Sequence, residues 1–307
     1  MTRVASFSQS QSLLQGILRN QSNLFEAQKQ VNTGKKSDDF AGIANQVSTL
    51  VGAKALKART ESYISTGETI TRALQVYDVQ LGAITDTARE ARQTMIEALA
   101  QDEAVGFTTI MGEAYNRIAS ALNTKIGGNY IFAGSKSDTP PLATTSFSDL
   151  TLLATASDAF QNDGIKARAR VADNVETEYG VLASDVADLL LASFKRIADF
   201  DAGPDGPIDG KLTANQRAFL ESELLALDGA IADTQNALVT NGLKAKKLDE
   251  IKDQHVDQRV FLETFVSDIE DVNIAEAITR LNNDQAALAV SFRVVGQISR
   301  LSLADFI

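Results

Sequence analysis

TGETITRALQVYDVQLGAITDTAREARQTMIEALA, residues 66–100, decides the architecture. Within it Ile70, Leu74, Tyr77, Leu81, Ile84, Ala88, Ala91 and Met95 follow one another in alternating steps of four and three, and Tyr63 leads into the series. An α-helix turns once every 3.6 residues, so such steps put all these side chains on one stripe, which must be covered by another helix. No proline or run of turn residues interrupts the pattern, and the spacing predicts one long helix from about Phe40 to Gln101.

Working outward, a shorter helix is expected over Asp102–Ile126, with Met111, Ile118 and Leu122 on one face and Gly127-Gly128 as its stop. The simplest arrangement of these two helices is antiparallel. The texture then changes. YIFAGSKSDTPPL (130–142) is an apolar run entering a turn, and serine and threonine are frequent up to Ala156. IKARARVAD and VETEYGV alternate apolar and polar residues around Asp173 and Asn174, the signature of a β-hairpin. Ser184 and Asp185 open a helix to about Phe200, DAGPDGPIDG (201–210) is a loop, and Thr213 caps a helical region running to about Val272. In its second half Leu248, Ile251, Leu262, Phe265, Ile269 and Val272 form a seam, interrupted by His255 and Gln258.

The two ends resemble each other in pattern. Between Val4 and Val31, Leu14, Leu18 and Phe25 form one stripe and Leu13, Ile17, Leu24 and Val31 a second beside it. Gly34 is placed to cap that helix, and Ser37 to start the next with Asp38 and Asp39 in its first turn. Counting heptads from Ile274 puts Ile278, Leu281, Leu288, Phe292, Val295 and Phe306 in a seam, with Val294, Ile298 and Leu301 as a neighbouring stripe. A terminal helix with two apolar edges needs more than one partner. Backbone ordering costs about 1–2 kcal/mol per residue, so one stripe alone compensates poorly. The expectation is that the ends fray in the free monomer and become helical when copies assemble. Periodicity by itself equally allows both stripes to be buried within one ordinary helical domain.

Composition narrows the chemistry. The chain has no cysteine, so disulfides, thiolate nucleophiles and cysteine-bound zinc are excluded, and the absence of tryptophan and the four prolines suit a helical protein. A net charge of −11, with a pI near 4.7, would repel a nucleic acid backbone, and no basic patch offsets it. MTRVASFSQSQSLLQGILRN lacks the apolar core of a cleaved secretion signal, and no apolar run is long enough to span a membrane. TGKKS is not a phosphate loop, because Lys29 stands where its first glycine belongs and Lys36 where its hydroxyl residue belongs. Asp205 and Gly206 are spaced as in a calcium loop, but Gly203 and Leu212 replace required oxygen ligands. The single histidine, His255, lies on an apolar seam without a second histidine or a nucleophile elbow, and reads as a register-setting polar residue. No catalytic, cofactor-binding or metal site is assigned, and enzyme activity is not expected. The fold class is mainly α: a long antiparallel helical bundle or coiled coil formed by the N- and C-terminal helices, with a small mid-chain region containing a β-hairpin.

Three strings add a resemblance. QVNTGKKSDDFAGIA (30–44), NYIFAGSKSDTPPL (129–142) and AEAITRLNNDQAALAVSFRVVGQISRLSLADFI (275–307) are similar to the bacterial flagellin family, and the last two resemble its hook-filament junction branch. Asp38-Asp39-Phe40-Ala41-Gly42 instead resembles the filament form, since the junction branch usually carries a proline soon after the paired aspartates. The resemblance implies that residues 1–35 and 272–307 pair as the inner assembly core. It also implies a helical rod from 36–137 and 164–271 with a hairpin at about 164–180, and a short variable outer insertion at 138–163. The assembly interface would use Leu13, Leu14, Ile17, Leu18, Leu24, Phe25, Ile278, Leu281, Leu288, Phe292, Val295, Ile298, Leu301 and Phe306. Implied partners are further copies, the hook-side junction protein, flagellin, and a cytoplasmic chaperone that holds the chain before type III export to the extracellular flagellum. Alternatives are a filament subunit and, from another class, a secreted helical adhesin or effector.

Overall fold

The computed structural model describes residues 2–37 and 45–304, with side-chain surroundings described between 11 and 297. Among the described residues six helices dominate: α1 (Thr2–Thr33), α2 (Val47–Gln101), α3 (Phe107–Leu122), α4 (Ala183–Asp201), α5 (Ala214–Glu270) and α6 (Ile274–Ala304). Two small antiparallel hairpins, β1–β2 (Lys125–Ile126, Asn129–Tyr130) and β3–β4 (Arg168–Ala172, Val175–Glu178), complete a mainly α fold. The chain divides into two compact units, residues 1–59 with 257–307, and residues 60–256. Helices α2 and α5 contribute to both.

In the 60–256 unit the predicted α2 seam is the core. Ile70, Leu74, Tyr77, Leu81, Ile84, Ala88, Ala91 and Met95 are all buried, together with residues of α3, α4 and α5. Helix α5 runs antiparallel to α2. Its contacts with Tyr63, Leu74, Arg92 and Leu99 come from His255, Asn241, Asp228 and Arg217 in turn, so the partner number falls as the α2 number rises. The start of α5 is fixed by a reciprocal cap: Gln216 N–H donates to Thr213 Oγ1 at 3.2 Å, and Thr213 N–H donates to Gln216 Oε1 at 3.0 Å. Arg196 grips the buried Glu223 with Nε–Oε1 at 2.6 Å and Nη2–Oε2 at 3.0 Å, which ties α4 to α5.

Two features of α3, its start and its end, differ from the sequence expectation. Helix α3 starts only at Phe107, because Asp102 (φ 58°) and Gly106 (φ 69°) adopt left-handed backbone that a continuing helix cannot contain. It ends at Leu122, not Ile126. Gly127 (φ 58°) and Gly128 (φ 90°) therefore do not stop the helix but form the two-residue turn of β1–β2, a turn that needs positive φ at both positions. Residues 138–163 add Leu142, Phe147, Leu150, Ala156 and Ala159 to the core, with 3-10 turns at Phe147–Leu152 and Ala156–Ala159. Asp149 and Asp158 start those turns by accepting from the Ser146 and Thr155 N–H groups, each at 2.8 Å. The hairpin predicted around Asp173 and Asn174 is present, with Asn174 at φ 59° in its turn.

Candidate functional site

The terminal unit pairs α1 with α6. On α1 the inward positions are Leu13, Ile17, Asn20, Leu24, Ala27 and Val31, an unbroken alternation of four and three. On α6 they are Ala277, Leu281, Asp284, Leu288, Ser291 and Val295, again in fours and threes. Most of these are half-buried, and Ala27 and Ala277 are buried. Asn20 Nδ2 donates to Ser291 Oγ at 3.0 Å, which aligns the antiparallel pair from within its seam.

The base of the pair is held by backbone and charge. Gly34 (φ 72°) ends α1 with its N–H on the Gln30 carbonyl at 2.9 Å, the capping role read from the sequence. The chain then forms a short antiparallel bridge, with Val272 N–H on the Gly34 carbonyl at 2.9 Å and Lys36 N–H on the Glu270 carbonyl at 2.8 Å. Lys35 Nζ lies 2.7 Å from Asp271 and 3.3 Å from Glu270, and Lys54 Nζ lies 2.7 Å from Glu270. The hydrogen bond to Asp271 holds the Lys35 ammonium above its ordinary value. In return Lys35 holds the Asp271 carboxyl below its usual range, and Lys54 does the same for Glu270. The expected Ser37 cap and its paired aspartates reach into residues 38–44, outside the described residues.

The inward seam of α1 is the Leu13 stripe, and the Leu14 stripe faces outward. Leu14, Leu18 and Phe25 are 60%, 57% and 69% exposed. At about 100° per residue they share a strip about 40° wide. On α6 the heptad count from Ile274 requires correction. It grouped Ile278 and Phe292 with Leu281, Leu288 and Val295, but the close pairing uses Ala277, Asp284 and Ser291 instead. Small and polar side chains take those seam positions, and Ile274, Ile278 and Phe292 turn to the surface. The predicted interface set therefore divides. Leu13, Ile17, Leu24, Leu281, Leu288 and Val295 lie on the inward side, while Leu14, Leu18, Phe25, Ile278 and Phe292 lie outward. The side chains of Ile298, Leu301 and Phe306 lie outside the described residues. Phe261 was missed by the sequence reading. It is exposed one residue before the buried Leu262, and stacks on Phe265 at 6.3 Å between ring centroids.

Residues singled out for chemistry hold the 60–256 unit together. His255 Nε2 lies 2.8 Å from the Val171 carbonyl while its ring stacks on Tyr63, whose hydroxyl donates to Asp173 at 2.9 Å. This set fastens the β3–β4 hairpin to α2 and α5. In the 201–210 loop Asp201 Oδ1 accepts from Thr108 Oγ1 at 2.7 Å and Ile208 N–H at 2.8 Å, and Asp209 accepts from Gly106 N–H at 3.1 Å, so these carboxylates serve the loop itself. No cluster of three metal-ligating side chains occurs among the described residues, and no described helix is long and apolar enough to cross a membrane.

The NYIFAGS string is a plug. Phe132 is fully buried edge-on to Tyr77 at 5.1 Å, and Tyr77 donates to the Ile131 carbonyl at 2.7 Å. Burial pushes the Tyr77 hydroxyl up to about 12. At Gly134 (φ 70°) an added Cβ would lie 2.3 Å from Asp163 Oδ1, so glycine is required there.

The fold is shared with solved structures. A Vibrio parahaemolyticus protein assigned as a flagellar hook-associated protein superposes with a TM-score of 0.60 at 19% identity, covering 75% of this chain and 98% of that one. Bacillus cereus FlgL superposes with a TM-score of 0.53 at 14% identity, covering 71% of this chain and 99% of that one. No protein-family model matches the sequence, and no curated protein sequence matches it.

Proposed function

We propose that this chain is a non-catalytic structural subunit of the bacterial flagellum, the adaptor between hook and filament. One observation carries the proposal: a terminal helix pair that closes its own seam presents an apolar strip on each helix to solvent, in a fold shared with hook-associated proteins. Large exposed apolar strips on a folded chain mark contact surfaces. In this reading residues 1–35 and 272–307 form the inner assembly core, and Leu14, Leu18, Phe25, Ile278 and Phe292 meet neighbouring copies. The resemblance assigns Ile298, Leu301 and Phe306 to the same assembly role. The partners are further copies, the hook-side junction protein and flagellin, with a cytoplasmic chaperone covering the same strips before export to the outside of the cell.

A gene deletion tests the reading: hooks should form normally while unassembled flagellin appears in the medium. A tagged copy should give a single spot at the distal end of each hook. Labelling along the shaft would establish the second reading, a filament subunit, which the Asp38-Asp39-Phe40-Ala41-Gly42 string favours. Signal away from flagella would overturn both in favour of a secreted adhesin or effector. A His255→Ala chain should still assemble, because His255 only fastens a hairpin.

A further inference from the structure

The outward face of α5 carries a second apolar stripe, distant in sequence from the termini. Ala232, Asn236, Val239 and Leu243 follow one another in steps of four, three and four, and all are exposed, Val239 at 62% and Leu243 at 63%. This is a seam pattern, and none of the described residues covers it. Beside the stripe runs a groove of about 260 Å³ lined by Asp233, Asn236, Thr240, Asn241 and Lys244 of α5, with Lys166 and Asp185 across from them. Asp185 already pairs with Lys166 at 2.8 Å. Lys244 is half-buried, and that burial lowers its pKa, with the Glu178 carboxylate acting in the opposite direction and the Lys166 ammonium adding to the lowering.

The charges along this stretch are ordered. Asp228 and Asp233 precede the stripe's midpoint, and Lys244, Lys246 and Lys247 follow it. A second helix of the same sequence laid parallel would set like charges together. Laid antiparallel, it sets Asp233 against Lys244, while Asp228 is already held by Arg92 of the same chain. The stripe obeys the same symmetry: a two-fold axis between Ala237 and Leu238 carries Ala232 onto Leu243 and Asn236 onto Val239, pairing each position with one that packs against it. Asp233 and Lys244 are eleven residues apart, so at 100° per residue they share a face, about 90° from the stripe. There the long lysine side chain reaches the partner's carboxylate across a helix pair spaced about 8–10 Å.

We propose that this face is a homodimerisation surface: two free chains dock α5 against α5, antiparallel, with Val239 and Leu243 in the seam and Asp233 of each copy paired with Lys244 of the other. The partner is a second copy because the order of charges along the face complements itself when the face is turned about that axis. Such a contact is closed by its two-fold axis, so it yields dimers and not chains, and it does not involve the terminal strips.

The test is sedimentation equilibrium on the full chain carrying Leu18→Gln and Phe25→Ser, which break up the apolar strip of α1. Dimers should be present at tens of micromolar. Leu243→Asp should abolish them with an unchanged helical circular dichroism signal. Asp233→Lys alone and Lys244→Asp alone should each weaken dimerisation about tenfold, and the two together should restore it, since the swap re-forms both pairs with signs exchanged. A monomeric parent at 100 μM, on the order of the weakest dimer that would matter, overturns the proposal. So does a double swap no tighter than its single variants.

Discussion

The α2 seam and the α1 stripes are written in the same repeat and meet different fates. In the 60–256 unit Ile70 through Met95 vanish from solvent beneath α3, α4, α5 and the mid-chain segment, so one helix face meets several partners. In the terminal unit, among the described residues, the α1 seam packs against α6, holds Asn20 and Ala27 where a core would hold larger apolar residues, and leaves Phe25 outside. The difference teaches that heptad spacing specifies a face to be covered and not what covers it. Where large side chains fill the seam, the unit is self-sufficient. Where small and polar residues share the seam with large ones and further large ones lie on the back, in the proposed reading assembly completes the packing.

The largest expected effect is in the self-sufficient unit. Phe132→Ala removes a fully buried ring and should cost about 3–5 kcal/mol, read as a drop in the denaturant midpoint. The terminal strip behaves oppositely: Leu18→Gln with Phe25→Ser should change the stability of the free chain by under about 0.5 kcal/mol. The same pair should abolish incorporation into flagella, scored by imaging. A large stability loss from that pair would erase the contrast between the units.

Smaller effects sharpen it. Asn20→Ala loses the bond to Ser291 and should cost the helix pair about 1 kcal/mol, measured by amide exchange in α1 and α6, with the 60–256 unit unaffected. Acid should act on the base of the pair. Asp271 and Glu270 have folded pKa values below their unfolded ones, so their contribution is complete above about pH 4.3 and is lost as pH falls through the lower folded values. Lys35 is raised, so its contribution persists below about 10.4 and disappears only as pH rises through the higher folded value. The Val272 amide, bonded to Gly34, reports this: its protection should be flat from pH 5 to 8, as roughly expected for such groups, and should fail in acid.

Much of the fold was legible because long helices repeat one rule many times. The α2 seam, Gly34, the Thr213 cap and the Asp173-Asn174 hairpin each follow from local chemistry. What escaped were places where one residue overrides a pattern. Asp102 enters the left-handed region and breaks a helix that its neighbours would continue, with Arg217 Nη2 bound to its carboxylate at 2.6 Å. Gly127-Gly128 reads equally as a helix stop or a hairpin turn until a strand pairs across it. The candidate surface was half legible: the sequence shows that α1 and α6 have two apolar edges, but only the packed pair reveals which edge is used inside. Ile278 and Phe292 were grouped with the seam because a count by hydrophobicity prefers them to Ala277 and Ser291, whereas close helix approach prefers the small residues.

Hydrogen exchange, resolved by segment, on the free chain at low concentration and on the same chain within assembled flagella tests the central claim most directly. Amides of α1 and α6 should exchange rapidly in the free chain, far faster than those of α2 between 70 and 95, and become protected on assembly. Terminal amides already as slow as the α2 core in the isolated chain would contradict the account.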